Sequence, residues 1–149
     1  MKIRCFTAQD RADFLSMMDE FYHSNAVLHP IPKECMERCF AACIQGGPYL
    51  KGYLFEEDNM PAGFALVSTG FSTEAGGVCV QLEDLYVRAE FRGKGIGKQF
   101  FTFLRQNCPA GTRRLRLEVE PENENAIRLY QRLGFQTLPY LQMILDVDP

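Results

Sequence analysis

The chain has 149 residues, 46% of them hydrophobic, enough for one domain with a core of ordinary size. Sixteen basic against nineteen acidic side chains leave a net charge of −3, which argues against a general nucleic-acid binder, since that class needs a basic footprint. No apolar run reaches the roughly 18 residues that span a bilayer, so residues 1–149 read as one domain without a membrane or nucleic-acid partner.

The N-terminus passes straight into a strand pattern, Lys2 to Phe6, with no apolar leader before it. The six cysteines, at positions 5, 35, 39, 43, 79 and 108, form no C-x-x-C pair and read as reduced thiols of a cytoplasmic protein. Thr7-Ala8-Gln9-Asp10 has the form of a helix capping box. Phe14, Met17, Met18, Phe21 and Tyr22 then recur at helical spacing. After His29-Pro30-Ile31-Pro32 a second helix carries Cys35, Cys39 and Cys43 on one row, with Met36, Phe40 and Ile44 beside it. The cysteine row reads as a small-residue packing face, and His23 and His29 read as surface residues.

Past Gly46-Gly47-Pro48 the period changes to two. Tyr49 to Glu56 and Ala62 to Gly70 read as strands joined by a turn at Glu57-Asp58-Asn59, and Val78 to Val87 as a third. A glycine-rich turn leads into a helix with Ile96, Phe100, Phe103 and Leu104 on its apolar face. Arg113 to Val119 is a further strand, and Asn125 to Leu133 a helix closed by Gly134. Gln136 to Thr137 and Tyr140 to Leu145 are expected to complete the sheet. Antiparallel hairpins around one strand–helix–strand crossover predict an α/β (α+β type) fold with a mixed, mostly antiparallel central sheet flanked by helices.

The segment with the most chemical content is Arg92-Gly93-Lys94-Gly95-Ile96-Gly97-Lys98, where a strand ends and a helix starts. Glycines let the backbone approach a ligand closely, and free N–H groups at a helix start attract an anion. The basic residues around them strengthen that attraction. The nucleotide P-loop does not fit, since positions 92 and 99 are Arg and Gln. The dinucleotide fingerprint does not fit either, meeting Lys98 or Phe100 at its last glycine.

What fits is R-x-x-G-x-G at Arg92, Gly95 and Gly97, which resembles the coenzyme A-binding motif of the GNAT superfamily of N-acetyltransferases. Downstream, Asn123, Ala126, Leu129, Tyr130, Gly134 and Phe135 resemble that family's second signature, N-x-x-A-x-x-L-Y-x-x-x-G-F. The likeness covers residues 50–145 best, and Leu82-Glu83-Asp84-Leu85-Tyr86-Val87 looks most like the polyamine (diamine) acetyltransferase branch.

The resemblance implies acetyl-CoA as co-substrate, held by the Leu85-Tyr86-Val87 strand end, by Arg92 through Lys98, and by Asn123 and Tyr130. In the family the Asn contacts the pantetheine arm or orients the helix. The Tyr lies near the sulfur and protonates the departing thiolate. Bottom-up, the alternative for Tyr130 is a half-buried packing residue with its hydroxyl at the surface, and the first motif beside it favours the catalytic role.

An alkylamine with a pKa near 10.4 must lose a proton before it attacks a thioester, at a cost of about 4–5 kcal/mol at pH 7. A carboxylate base is therefore useful. Glu83 is the first candidate, expected on the same strand face as Leu85, with Asp84 on the opposite face. The alternatives for Glu83 are a solvated carboxylate or one paired with Arg116. A backbone N–H near Leu85 or Val87 would stabilise the oxyanion. Glu118, Glu120, Glu122 and Glu124 read as an acidic acceptor side or as a solvated edge.

No metal-ligand set is expected. The expected reaction is direct acetyl transfer to a small cationic amine. The alternatives are acetylation of a protein N-terminus or lysine, and a non-catalytic acyl-CoA-binding domain. A homodimer is compatible with each.

Overall fold

The computed structural model describes residues 1–147. In chain order the elements are β1 (Lys2–Cys5), α1 (Arg11–Tyr22), α2 (Lys33–Gln45), β2 (Leu50–Glu57), β3 (Met60–Ser72), β4 (Gly77–Val87), α3 (Ile96–Gln106), β5 (Thr112–Leu117) and α4 (Glu124–Arg132). Short 3₁₀ turns precede α1 and follow β4. The strands form one five-stranded sheet in the order β1-β2-β3-β4-β5. The first four are antiparallel, and β5 lies parallel to β4, joined to it through α3.

Local chemistry explains the joints. The carboxylate of Asp10 accepts from the Thr7 backbone N–H at 2.6 Å and from its hydroxyl at 2.9 Å, so the expected capping box is present. The same carboxylate takes the Arg4 guanidinium at 2.7 and 2.8 Å, tying β1 to the start of α1. Asp58 and Asn59 both adopt positive φ between β2 and β3, the conformation of a tight hairpin turn.

Two apolar layers sandwich the sheet. On one face α1 and α2 bring Phe14, Met17, Phe21, Met36 and Phe40 against Leu54, Phe64, Leu66 and Tyr86. Phe14 sits edge-on to Phe6 and Phe64 at 5.0 and 5.3 Å. On the other face α3 brings Ile96, Phe100, Phe101 and Leu104 against Tyr53, Phe55, Val80 and Leu82, with Tyr130, Leu133 and Phe135 beyond. Phe101, absent from the expected apolar face, is buried, while Phe103 is half-buried beside the Tyr53 ring. The cysteine row packs as expected, since Cys39 and Cys43 lie against the α1–α2 core.

One expectation fails. Neither Gln136 to Thr137 nor Tyr140 to Leu145 is a strand, and β5 is the last strand of the sheet among the described residues. The apolar pattern of 141–145 suits a strand. A strand also needs a hydrogen-bonded neighbour, and this segment has none in the fold.

Candidate active site

The centre of the site is an irregularity in β4. Its register against β3 runs Leu66↔Asp84 and then Val67↔Leu82, so Glu83 is an extra, unpaired residue: a β-bulge. The bulge shifts the side-chain phase by one. Val80 and Leu82 face α3 before it, and Leu85 and Val87 face α3 after it. Asp84 and Tyr86 therefore face α1 and α2.

This corrects the expected geometry. Glu83 does not share a face with Leu85, nor does Asp84 oppose it. The Glu83 carboxylate accepts a hydrogen bond from the Ser68 hydroxyl, on the same side of β3 as Phe64 and Leu66. Both carboxylates thus lie on the α1–α2 side, Glu83 exposed and Asp84 buried at 8% exposure. The pairing with Arg116 considered for Glu83 does not occur. A readable signal existed, because the apolar phase moves from even to odd positions between Leu82 and Leu85.

Asp84 has one hydrogen-bond partner among the described residues, the Tyr22 hydroxyl at 3.3 Å, and no cation. Burial raises its pKa to about 6, with the Tyr22 hydrogen bond opposing and the neighbouring Glu83 charge adding to the rise. Tyr22 is pushed upward in turn by burial and by Asp84. Burial, then the charge of Asp84, also raises the Cys39 thiol, keeping it neutral. Asp84 thus sits beside a second carboxylate, Glu83, with no cation paired to either among the described residues.

The parallel pairing of β4 with β5 ends at Leu82↔Leu117, so the outer edge of β4 is open from Glu83 to Val87. The Val87 carbonyl points out of the sheet there, accepting from Arg92 Nε at 2.8 Å. By the two-residue period of the strand, the Leu85 N–H and C=O face the same opening. The backbone donor expected near Leu85 or Val87 is therefore available.

Beyond this edge the chain turns through Gly93 and Gly95, with φ of 75° and 76°. A Cβ at either glycine would meet nothing within 4 Å, so the turn presents bare backbone to open space. Gly95 caps α3 without any side-chain hydrogen bond, and the first turn of α3 holds no acidic residue. The first N–H groups of α3 thus remain free for an anion. Arg92, Lys94 and Lys98 are exposed and form no ion pair among the described residues. Arg92 stacks over the Tyr86 ring at 5.8 Å and Lys94 over Phe91 at 4.9 Å, fixing both near the turn.

Gly97 differs in kind. A Cβ there would sit 3.1 Å from Leu129, so this glycine admits α4 close against α3. Asn123 caps α4 through its side-chain oxygen, which accepts from the Ala126 N–H at 3.2 Å. Tyr130 packs edge-on between Phe101 and Phe135 at 5.8 and 5.9 Å, and burial pushes its pKa up to about 12. Its hydroxyl makes no hydrogen bond among the described residues and is not a sealed orphan.

A mostly antiparallel sheet, a bulged fourth strand with an open edge and a bare helix start that suits an anion make up the candidate site. Residues 14–135 match the model of the Acetyltransferase (GNAT) family, and the chain belongs to that family. Thialysine N-epsilon-acetyltransferase of Bos taurus is 38% identical over 77 residues, 51% of this chain and 45% of that protein. Spermine/spermidine N(1)-acetyltransferase of Bacillus subtilis (strain 168) is 37% identical over 59 residues, 38% of this chain and 39% of that protein. The chain thus matches less than half the length of these curated relatives. A possible acetyltransferase from Clostridium difficile 630 has the same fold, with a TM-score of 0.84, 19% identity, and coverage of 99% of this chain and 98% of that one.

Proposed function

We propose that this chain transfers an acetyl group from acetyl-CoA directly to the amine of a small cationic acceptor. Acetyl-CoA, when bound, supplies the activated thioester. The turn from Arg92 to Lys98 fits its pyrophosphate, since Gly93 and Gly95 leave space that a side chain would fill and three unpaired cations surround them. The open β4 edge at Leu85 to Val87 fits an extended amide-containing arm, and its backbone N–H is placed to stabilise developing negative charge on a carbonyl oxygen.

The observation that carries the acceptor class is the pair Glu83 and Asp84, brought by the bulge onto one side with no cation between them. A buried carboxylate without a counter-charge is costly. An ammonium supplies the missing charge, which a neutral acceptor does not. Glu83, the exposed member, takes the proton from the acceptor nitrogen, directly or through a water. Asp84, largely ionised at pH 7 with a pKa of about 6, holds the local potential negative.

Tyr130 stays protonated at neutral pH because burial raises it to about 12. Full proton transfer to a thiolate with a pKa of about 8.5 would be uphill from that value. Its hydroxyl therefore acts first as a hydrogen-bond donor to the leaving sulfur. The names of the two partial relatives, a thialysine and a spermine/spermidine acetyltransferase, are consistent with a flexible cationic amine as acceptor.

The test is release of free thiol from acetyl-CoA against polyamines, diamines, aminoglycosides, amino acids and lysine peptides. Turnover confined to polyamines and diamines is the expected outcome. Turnover only with peptides would move the assignment to a protein acceptor, and binding of acetyl-CoA without turnover on any amine would oppose an enzymatic role.

A further inference from the structure

The carboxylate of Glu20 is a charged group that the proposed reaction does not use. Glu20 lies near the end of α1 and reaches across to the end of β4. Its Oε2 accepts from the Tyr86 hydroxyl at 2.7 Å, a charge-assisted hydrogen bond between residues 66 positions apart. Its Oε1 lies 3.4 Å from the Arg88 guanidinium, which also donates to the Ser16 hydroxyl and the Pro61 carbonyl, each at 3.3 Å. Arg88 thus offsets the Glu20 charge, so this carboxylate does not repel an anion brought to the neighbouring turn.

Tyr86 connects this cluster to that turn. Its ring is 7% exposed and packs against Phe21 and Phe64 at 5.8 and 5.9 Å between centroids. Arg92 lies over the same ring, 5.8 Å from its centroid. Burial first, and then the Glu20 hydrogen bond, push the Tyr86 hydroxyl up to about 12, so it remains a donor through the neutral range. Donation to a carboxylate makes a phenol ring richer in electrons, which strengthens its attraction for a cation over its face. It also fixes how deep the ring sits, because a nearly buried hydroxyl without an acceptor must turn toward water. Arg92 on this platform samples fewer rotamers, and less freedom is left to lose when an anion binds.

We infer that Glu20 is a positioning residue for the coenzyme: by accepting the Tyr86 hydroxyl it sets the platform on which Arg92 lies, and so raises affinity for the pyrophosphate of an acyl-coenzyme A. The inference rests on the coenzyme site proposed above and deepens it, since it puts a determinant of coenzyme affinity on α1, outside the turn from Arg92 to Lys98.

The test is the dissociation constant of coenzyme A, by calorimetry on the full chain. The proteins compared are wild type, Glu20→Ala, Tyr86→Phe, Arg92→Met and the Glu20→Ala, Arg92→Met double variant. Circular dichroism checks that each is folded. Tyr86→Phe removes the same hydrogen bond while keeping the ring, and takes the place of Glu20→Ala in the double variant if Glu20→Ala does not fold. The expected result is about three- to tenfold weaker binding in Glu20→Ala and in Tyr86→Phe, the size of one cation–π contact. Arg92→Met weakens binding at least as much, and adding Glu20→Ala to it changes affinity less than about twofold, since the platform then carries nothing. Wild-type affinity in Glu20→Ala or in Tyr86→Phe overturns the inference while leaving the coenzyme site intact. So do losses from Glu20→Ala and Arg92→Met that simply add. Wild-type affinity in Arg92→Met removes Arg92 from the coenzyme site and overturns the inference together with that part of the proposed function.

Discussion

At the scale of single residues, Asp84 carries the most consequence. Its native pKa of about 6 lies above the ordinary 3.8, so the folded state holds this proton more tightly than the unfolded chain does. Stability contributed by the protonated form is therefore present below about pH 4 and lost as pH rises through about 6. Asp84→Asn, which keeps an acceptor for Tyr22, should be more stable than wild type by about 1–3 kcal/mol at pH 7, with the difference vanishing near pH 4 in denaturant titrations. Equal stability at pH 7 would show the carboxylate to be better solvated than its burial indicates.

Gly95→Val tests a different atom. Its Cβ meets no protein atom, yet φ of 76° strains a branched residue, so a loss of about 1–2 kcal/mol in stability is expected alongside loss of acetyl-CoA binding by calorimetry. Unchanged affinity would remove the turn from the cofactor site. Tyr130→Phe keeps the ring between Phe101 and Phe135 while removing the hydroxyl. Its kcat should fall by about 10–100-fold with acetyl-CoA affinity unchanged, the equivalent of one hydrogen bond of about 1.5–3 kcal/mol to a charged group. A kcat equal to that of wild type would leave Tyr130 as a packing residue.

At the scale of elements, the strand-to-helix turn is legible in residue type, whereas the bulge shows only as a change of phase. Gly95 and Gly97 stand where backbone geometry and helix packing demand glycine, and sequence displays such demands directly. The bulge leaves no residue-type signature, only the phase change between Leu82 and Leu85 across adjacent carboxylates. Assuming an unbroken period of two put Glu83 on the α3 side; one inserted residue reverses that. Helix types and positions were recovered to within a few residues, since Phe14, Met17, Phe40, Phe100 and Leu104 mark buried stripes. The junction of β1 with α1 rests on Arg4, which binds both Asp10 and Glu56. Arg4→Met should cost about 2–4 kcal/mol by thermal unfolding, because Asp10 is left at 5% exposure without its cation. A loss below about 0.5 kcal/mol would mark the pair as peripheral.

At the scale of the whole molecule, an overall charge of −3 conceals two opposed regions. Arg92, Lys94 and Lys98 surround the turn at one end of the open β4 edge, while Glu83 and Asp84 lie on the α1–α2 side. Under the proposed function, this separation would draw an anionic co-substrate to the turn and a cationic acceptor to the two carboxylates. The C-terminal segment was misread for a reason belonging to this scale. Its apolar alternation suits a strand, but the segment pairs with no strand among the described residues, and strand pairing is not written in residue type.

The most direct test of the two-carboxylate acceptor site is the ratio of kcat/KM for a diamine to that for a neutral-tailed monoamine of matched length, by thiol release, in wild type and Asp84→Asn. The expected result is a wild-type preference for the diamine that falls at least tenfold in the variant. A ratio unchanged by the substitution, or a wild type that prefers the monoamine, would contradict recognition of the acceptor by its charge.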